Sequence, residues 1–167
     1  FHGHRRTTMT IPGGSPSVRR LTMPMRWLLY AAAALVFLAG AQLFILGEQT
    51  AMYFAWTVAP PFTAAFLGAA YWAAVPVEVI AARQMSWAQA RAAIPGIWLF
   101  TALTLVATLL HFDSFHFSRP APIPQAAAWL WLGIYTVVPV AMLLIAILQT
   151  RGPGGDPRRD ALHARQA

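Results

Sequence analysis

The sequence contains no cysteine. Disulfides, thiolate metal sites and thiol catalysis are therefore excluded. It contains no lysine either, and all twelve basic residues are arginine. Together with abundant Ala, Gly and Pro, this bias points to a GC-rich bacterial genome. Acidic residues number only five, and charged residues of both signs make up 10% of the chain. A soluble domain carries about 25%. Also missing are a serine–histidine–acid set, a phosphate-cradling glycine loop and paired carboxylates within one apolar run. A non-enzymatic role is expected, and no cofactor is implied.

Hydrophobic residues make up 58% of the 167 positions. Such a surface is unfavourable in water and suited to lipid. The basic pI near 11.3 suggests nucleic acid at first sight. Yet the arginines lie in short segments flanking apolar runs, and no basic domain exists to carry that role. The bilayer is the expected partner.

Four runs are apolar and free of arginine, at about 27–46, 62–82, 95–112 and 126–148. About 20 helical residues cross the hydrocarbon core. Helix-breaking residues bound the runs: Pro60-Pro61, Pro95, the Pro120–Pro124 cluster and Gly152-Pro153-Gly154-Gly155. The runs are twice the length a spanning strand needs and do not alternate, which excludes a barrel. The predicted fold is all-α: a polytopic membrane protein with four spans in a compact bundle, covering 26–150. Residues 1–25 and 151–167 are predicted to be flexible cytoplasmic segments. The sequence opens at Phe1, and Met9 and Met23 are the nearest candidate starts.

Arginine placement predicts orientation. Eleven arginines flank one side of this topology and only Arg119 the other. By the positive-inside rule both termini are cytoplasmic, in a bacterial cytoplasmic membrane. Trp27, Trp87 and Trp98 would form the inner aromatic belt, and Tyr53, Trp56, Trp129 and Trp131 the outer one. An alternative concerns the first run. Its basic start and the triplet Ala39-Gly40-Ala41 resemble a cleavable secretory signal, which would leave three spans. Against this, the run continues to Leu46. Between spans two and three, Ser86 and Gln89 have capping-box spacing and predict a short interfacial helix.

Few polar residues lie near the spans. Thr101, Thr104, Thr108 and His111 are spaced 3, 4 and 3 apart on one helix face. This face reads either as a hydrophilic or ligand-binding path, or as hydroxyls bonded within and between helices. His111, Asp113 and His116, with Glu48 from the neighbouring loop, form a candidate transition-metal set. The plainer reading is a polar loop. Haem ligation by two histidines lacks a second spanning histidine, so only a single-histidine ligand at His111 would be open. Glu78 is a candidate proton-binding or gating carboxylate. It could equally reach the headgroups or pair with Arg83 or Arg91. Tyr71 and Trp72, away from the belts, are candidates for stacking on a lipid, quinone or pigment, or for filling a helix interface. Pro76 and Pro139 are candidate kinks, and Ala64 and Gly68 candidate close-packing positions.

These features support three functional expectations. The first is an accessory or structural subunit of a larger membrane complex, assembled with other subunits or with itself. The second is a small oligomeric transporter or channel. The third is a metal- or haem-binding membrane protein.

Overall fold

The computed structural model describes residues 18–151. The described chain is helical and contains no strand, only two isolated bridges. Four long helices, α1 (Met23–Ile45), α3 (Pro61–Arg83), α5 (Ile94–Leu110) and α6 (Pro122–Arg151), alternate with short ones, α2 (Thr50–Tyr53) and α4 (Trp87–Ala90). The tails at 1–17 and 152–167, expected to be flexible, lie outside the described residues.

Proline sets several starts. Pro24, Pro61 and Pro95 occupy the first turns of α1, α3 and α5. The N–H that proline lacks has no intrahelical partner there. For the same reason α6 begins at Pro122 and not at 126: Pro122 and Pro124, read in the sequence as breakers, are accommodated in its first turn. Three helices, α1, α3 and α6, are long and apolar enough to cross a membrane. The fourth, α5, is apolar and has 17 residues. It stops at Leu110 because residues 112–114 and 116–118 wind into 3₁₀ turns.

Helices α1 and α3 approach closely where Gly40 meets Gly68. A Cβ on Gly68 would stand 2.7 Å from the Gly40 carbonyl oxygen and 2.8 Å from the Phe44 nitrogen. Only glycine allows two backbones so near. Trp72 packs beside this crossing, stacked on Phe37 and tilted against Phe44, and donates its indole N–H to the Phe37 carbonyl at 3.1 Å. Helix α6 packs on α1 and α5.

One end of the molecule gathers Arg19, Arg20, Arg26, Arg83, Arg91 and Arg151, and is called here the arginine end; the other, the histidine end, carries His111 and His116. At the arginine end residues 18–25, assigned to a mobile leader by the sequence, are held. Leu21 donates its N–H to the Met85 carbonyl at 3.2 Å, and Trp87 donates to Arg19 at 2.9 Å. Buried Gln149 donates to the Arg20 carbonyl and accepts from the Thr22 N–H, both at 2.8 Å. The short helix predicted after Ser86 is present as α4. The reciprocal cap is not: Ser86 Oγ donates to Gln89 Oε1 at 2.9 Å.

A candidate ligand cavity between α3 and α5

At the histidine end α3 and α5 stand apart, and a cavity of about 770 Å³ lies between them. Ligand pockets typically enclose about 300–1,000 Å³. Leu67, Ala70, Tyr71 and Ala74 of α3 form one wall; Phe100, Leu103, Thr104, Ala107, Thr108 and His111 of α5 form the other. Trp131 of α6 closes the back. Trp56 and Thr57 from the 54–60 loop, with Ser114 and Phe115 from the loop after α5, cover the end.

The hydrogen bonds determine what these walls offer. Thr104 donates to the Phe100 carbonyl at 2.9 Å, and Thr108 to the Thr104 carbonyl at 2.8 Å. Thr108 in turn accepts from the Trp131 indole N–H at 3.1 Å. Each threonine has thus used its one proton on its own helix and retains only acceptor capacity. His111 Nδ1 lies 3.0 Å from the Ala107 carbonyl. A carbonyl only accepts, so Nδ1 carries a proton; with that single ring proton, Nε2 is an acceptor. Of the residues grouped on one face by their spacing, Thr104, Thr108 and His111 line this cavity and Thr101 does not, and the hydroxyls make no continuous donor chain. The three form a row of acceptors in a mostly apolar cleft, whose cover adds Thr57 and Ser114.

The cover is organised by His116, which is 3% exposed. Its Nδ1 is 3.0 Å from the Phe54 carbonyl and its Nε2 is 3.0 Å from Thr57 Oγ1. Its backbone N–H donates to Ala55 at 2.9 Å, beside the Trp56–Phe115 bridge. Within the 54–60 loop, Val58 N–H donates to buried Thr50 Oγ1 at 3.0 Å, and Gln42 reaches across to the Tyr53 carbonyl. Burial lowers the His116 pKa and the nearby Arg119 lowers it further, while the bond to Phe54 works in the opposite direction.

This arrangement corrects the metal expectation. Both His116 ring nitrogens are occupied by protein partners. Asp113 and Glu48 are exposed on separate surface loops, in different clefts. Among the described residues no three His, Asp or Glu side chains are placed to hold a metal ion. The two aromatic candidates also part company. Tyr71 lines the cavity and hydrogen-bonds the Tyr135 hydroxyl at 3.0 Å, whereas Trp72 packs on α1. Glu78, read in the sequence either as a proton-binding or gating carboxylate or as a residue reaching the headgroups or an arginine, is 3% exposed and lines a second, smaller cavity.

Trp131, assigned by the sequence to an interfacial belt, is 7% exposed and sits among Phe54, Trp56, Tyr71 and Tyr135. The sequence reading missed both Trp131 and Tyr135 as site residues. Their four-residue spacing, continued by Val138 and Met142, marks one inward face and could have found them. No protein-family model matches the chain, and no curated protein or solved structure is similar to it.

Proposed function

We propose that this is a four-span protein of the bacterial cytoplasmic membrane, with both termini cytoplasmic, that binds a lipophilic small molecule between α3 and α5. The 770 Å³ cavity carries this reading. Its walls are apolar apart from a few convergent polar atoms, the usual make-up of a ligand site. Its position between two apolar helices gives a lipid-borne molecule a direct route from the bilayer. The wall chemistry specifies the ligand class further. Thr104, Thr108 and His111 Nε2 accept hydrogen bonds, so the complementary molecule has an apolar body and a hydroxyl or amine end. The accessory-subunit expectation rests on the scarcity of extramembrane mass and of catalytic groups; the cavity adds an observation that favours ligand binding.

The test is binding of a fluorescent long-chain alcohol to the protein in nanodiscs, paired with mass spectrometry of organic extracts of the protein purified from its native membrane. Saturable binding at one molecule per chain is expected, lost in Ala107→Trp, which fills the cleft. Partition into Ala107→Trp nanodiscs equal to wild type would sink the proposal.

A further inference from the structure

A second cavity, of about 50 Å³, lies where all four long helices contribute side chains. Ala32 and Val36 come from α1, Glu78 from α3, Thr101 from α5, and Tyr135 and Val138 from α6. Glu78 Oε2 is buried and has no hydrogen-bond partner. An unpartnered buried carboxyl oxygen is costly and calls for an explanation.

The walls do not provide the missing donor. Thr101 directs its one hydroxyl proton to the carbonyls of Ile97, at 3.1 Å, and Trp98, at 2.9 Å. Its oxygen therefore faces the cavity only as an acceptor. Tyr135 shares a hydrogen bond with Tyr71 in which either hydroxyl can donate; when Tyr135 donates its oxygen is an acceptor, and when Tyr71 donates the spare Tyr135 proton still makes no hydrogen bond to Glu78 Oε2. Pro139 has no N–H to offer the Tyr135 carbonyl, so that oxygen lacks its usual helical partner. The indole N–H of Trp131 is used by Thr108. From α1 the lining is aliphatic, and the nearest α1 cation, Arg26, directs Nη2 to the Gln84 carbonyl at 3.2 Å.

The site thus sets one carboxyl and two hydroxyl oxygens, those of Thr101 and Tyr135, in a mostly apolar lining, and no wall donor meets Glu78 Oε2. We propose that it binds a monovalent metal cation of sodium size, held by Glu78, Thr101 and Tyr135. A divalent ion is excluded by charge, because calcium sites gather several carboxylates among six to eight oxygens. An organic cation is excluded by volume, since such ligands need roughly 300 Å³ or more. The assignment does not depend on what occupies the larger cavity. The two spaces nevertheless share Phe100 and Trp131 as walls, so cation occupancy is placed to influence that cavity.

Thermal unfolding of the purified full chain in detergent tests the assignment. Sodium chloride is compared with choline chloride at equal ionic strength and fixed pH, and the series is repeated at a second pH. Sodium is expected to raise Tm saturably, by about 5 °C or more, and Glu78→Gln is expected to abolish the rise. Thr101→Val keeps the carboxyl and the side-chain shape; it is expected to weaken the apparent sodium affinity at least roughly tenfold. It decides the matter if Glu78→Gln does not fold. Equal Tm in sodium and choline overturns the proposal. So does a sodium effect that survives both substitutions, or a stabilisation that follows pH and ignores the identity of the ion, which would make the occupant a proton.

Discussion

At the arginine end Met25, Leu29 and Met142 have no accessible surface, and they interlock with Trp87, Ile94, Ile97 and Val138. At the histidine end the core is aromatic: Phe54 and Tyr71 meet Trp131 edge to face, Tyr135 tilts against it, Phe117 is buried in the same cluster, and the large cavity opens beside them. The contrast shows how one apolar composition gives both a plug and a pocket. Unbranched, flexible methionines fill irregular gaps between helices. Rigid rings fix distances and leave wedges that only a shaped molecule fills. The arginine end is further laced by backbone hydrogen bonds from residues 19–22, whereas the histidine end is covered by two loops joined through His116.

The largest effect expected from breaking this contrast is at the α1–α3 crossing, which holds one wall of the cavity in place. Gly68→Val puts methyl groups into the backbone of α1, and we expect no folded protein in size-exclusion chromatography. Gly96 and Gly133 have open space at the same test. Alanine at either should leave Tm unchanged or raise it, since helical glycine costs about 1 kcal/mol relative to alanine. Loss of fold in those controls would mean that glycine flexibility, and not the close approach, matters at Gly68.

Next comes truncation of one side chain in each region. Met142→Ala leaves a hole in the packed end and should cost about 2–4 kcal/mol. Leu103→Ala enlarges a space that already exists, and Leu103 is 58% exposed, so its cost should stay below about 1 kcal/mol. Chemical unfolding of the detergent-solubilised variants compares the two. Equal losses would erase the distinction between plug and pocket.

The sequence revealed the helical class and the helix positions because apolar runs and prolines are local signals. All four long helices overlap the expected runs, with ends displaced by up to four residues where proline or a 3₁₀ turn decides the boundary. The site was only partly legible. The threonine face and Tyr71 could be picked out because they are polar or isolated within apolar runs. The cavity could not, because it depends on how far α3 and α5 diverge, a distance that no local pattern encodes. Trp131 was misread for the same reason: an aromatic near a helix end suits a membrane interface and a pocket wall equally well. The histidine pair failed as a metal set because tertiary contacts, invisible in spacing, claim both nitrogens of His116.

A smaller effect is expected where the arginine end is laced to the chain before α1. Gln149→Leu removes both side-chain hydrogen bonds to residues 20 and 22, at a cost of about 1–3 kcal/mol for the pair. Hydrogen exchange at Leu21, Thr22 and Trp87 should accelerate while the histidine end is unaffected. Acceleration at both ends would show that they do not behave as separate units.

The smallest effect separates the ends by pH. The folded-state pKa of His116 lies below its unfolded value of about 6.5. Folding therefore favours the neutral ring. Its contribution is fully present above about pH 6.5 and is lost as pH falls through the folded-state value. Protonation puts a hydrogen on Nε2 and forces the Thr57 hydroxyl to turn from donor to acceptor, next to Arg119. Acidification from pH 8 to pH 5 should accordingly speed hydrogen exchange in residues 54–58 and 115–118, with little change at 19–22 and 84–87. His116→Gln, which can still donate to the Phe54 carbonyl but does not titrate, should abolish that pH dependence. If the loops of His116→Gln loosen on acidification as much as wild type, the latch lies elsewhere, and the cover of the cavity is held by the Trp56–Phe115 pairing and the aromatic contacts alone.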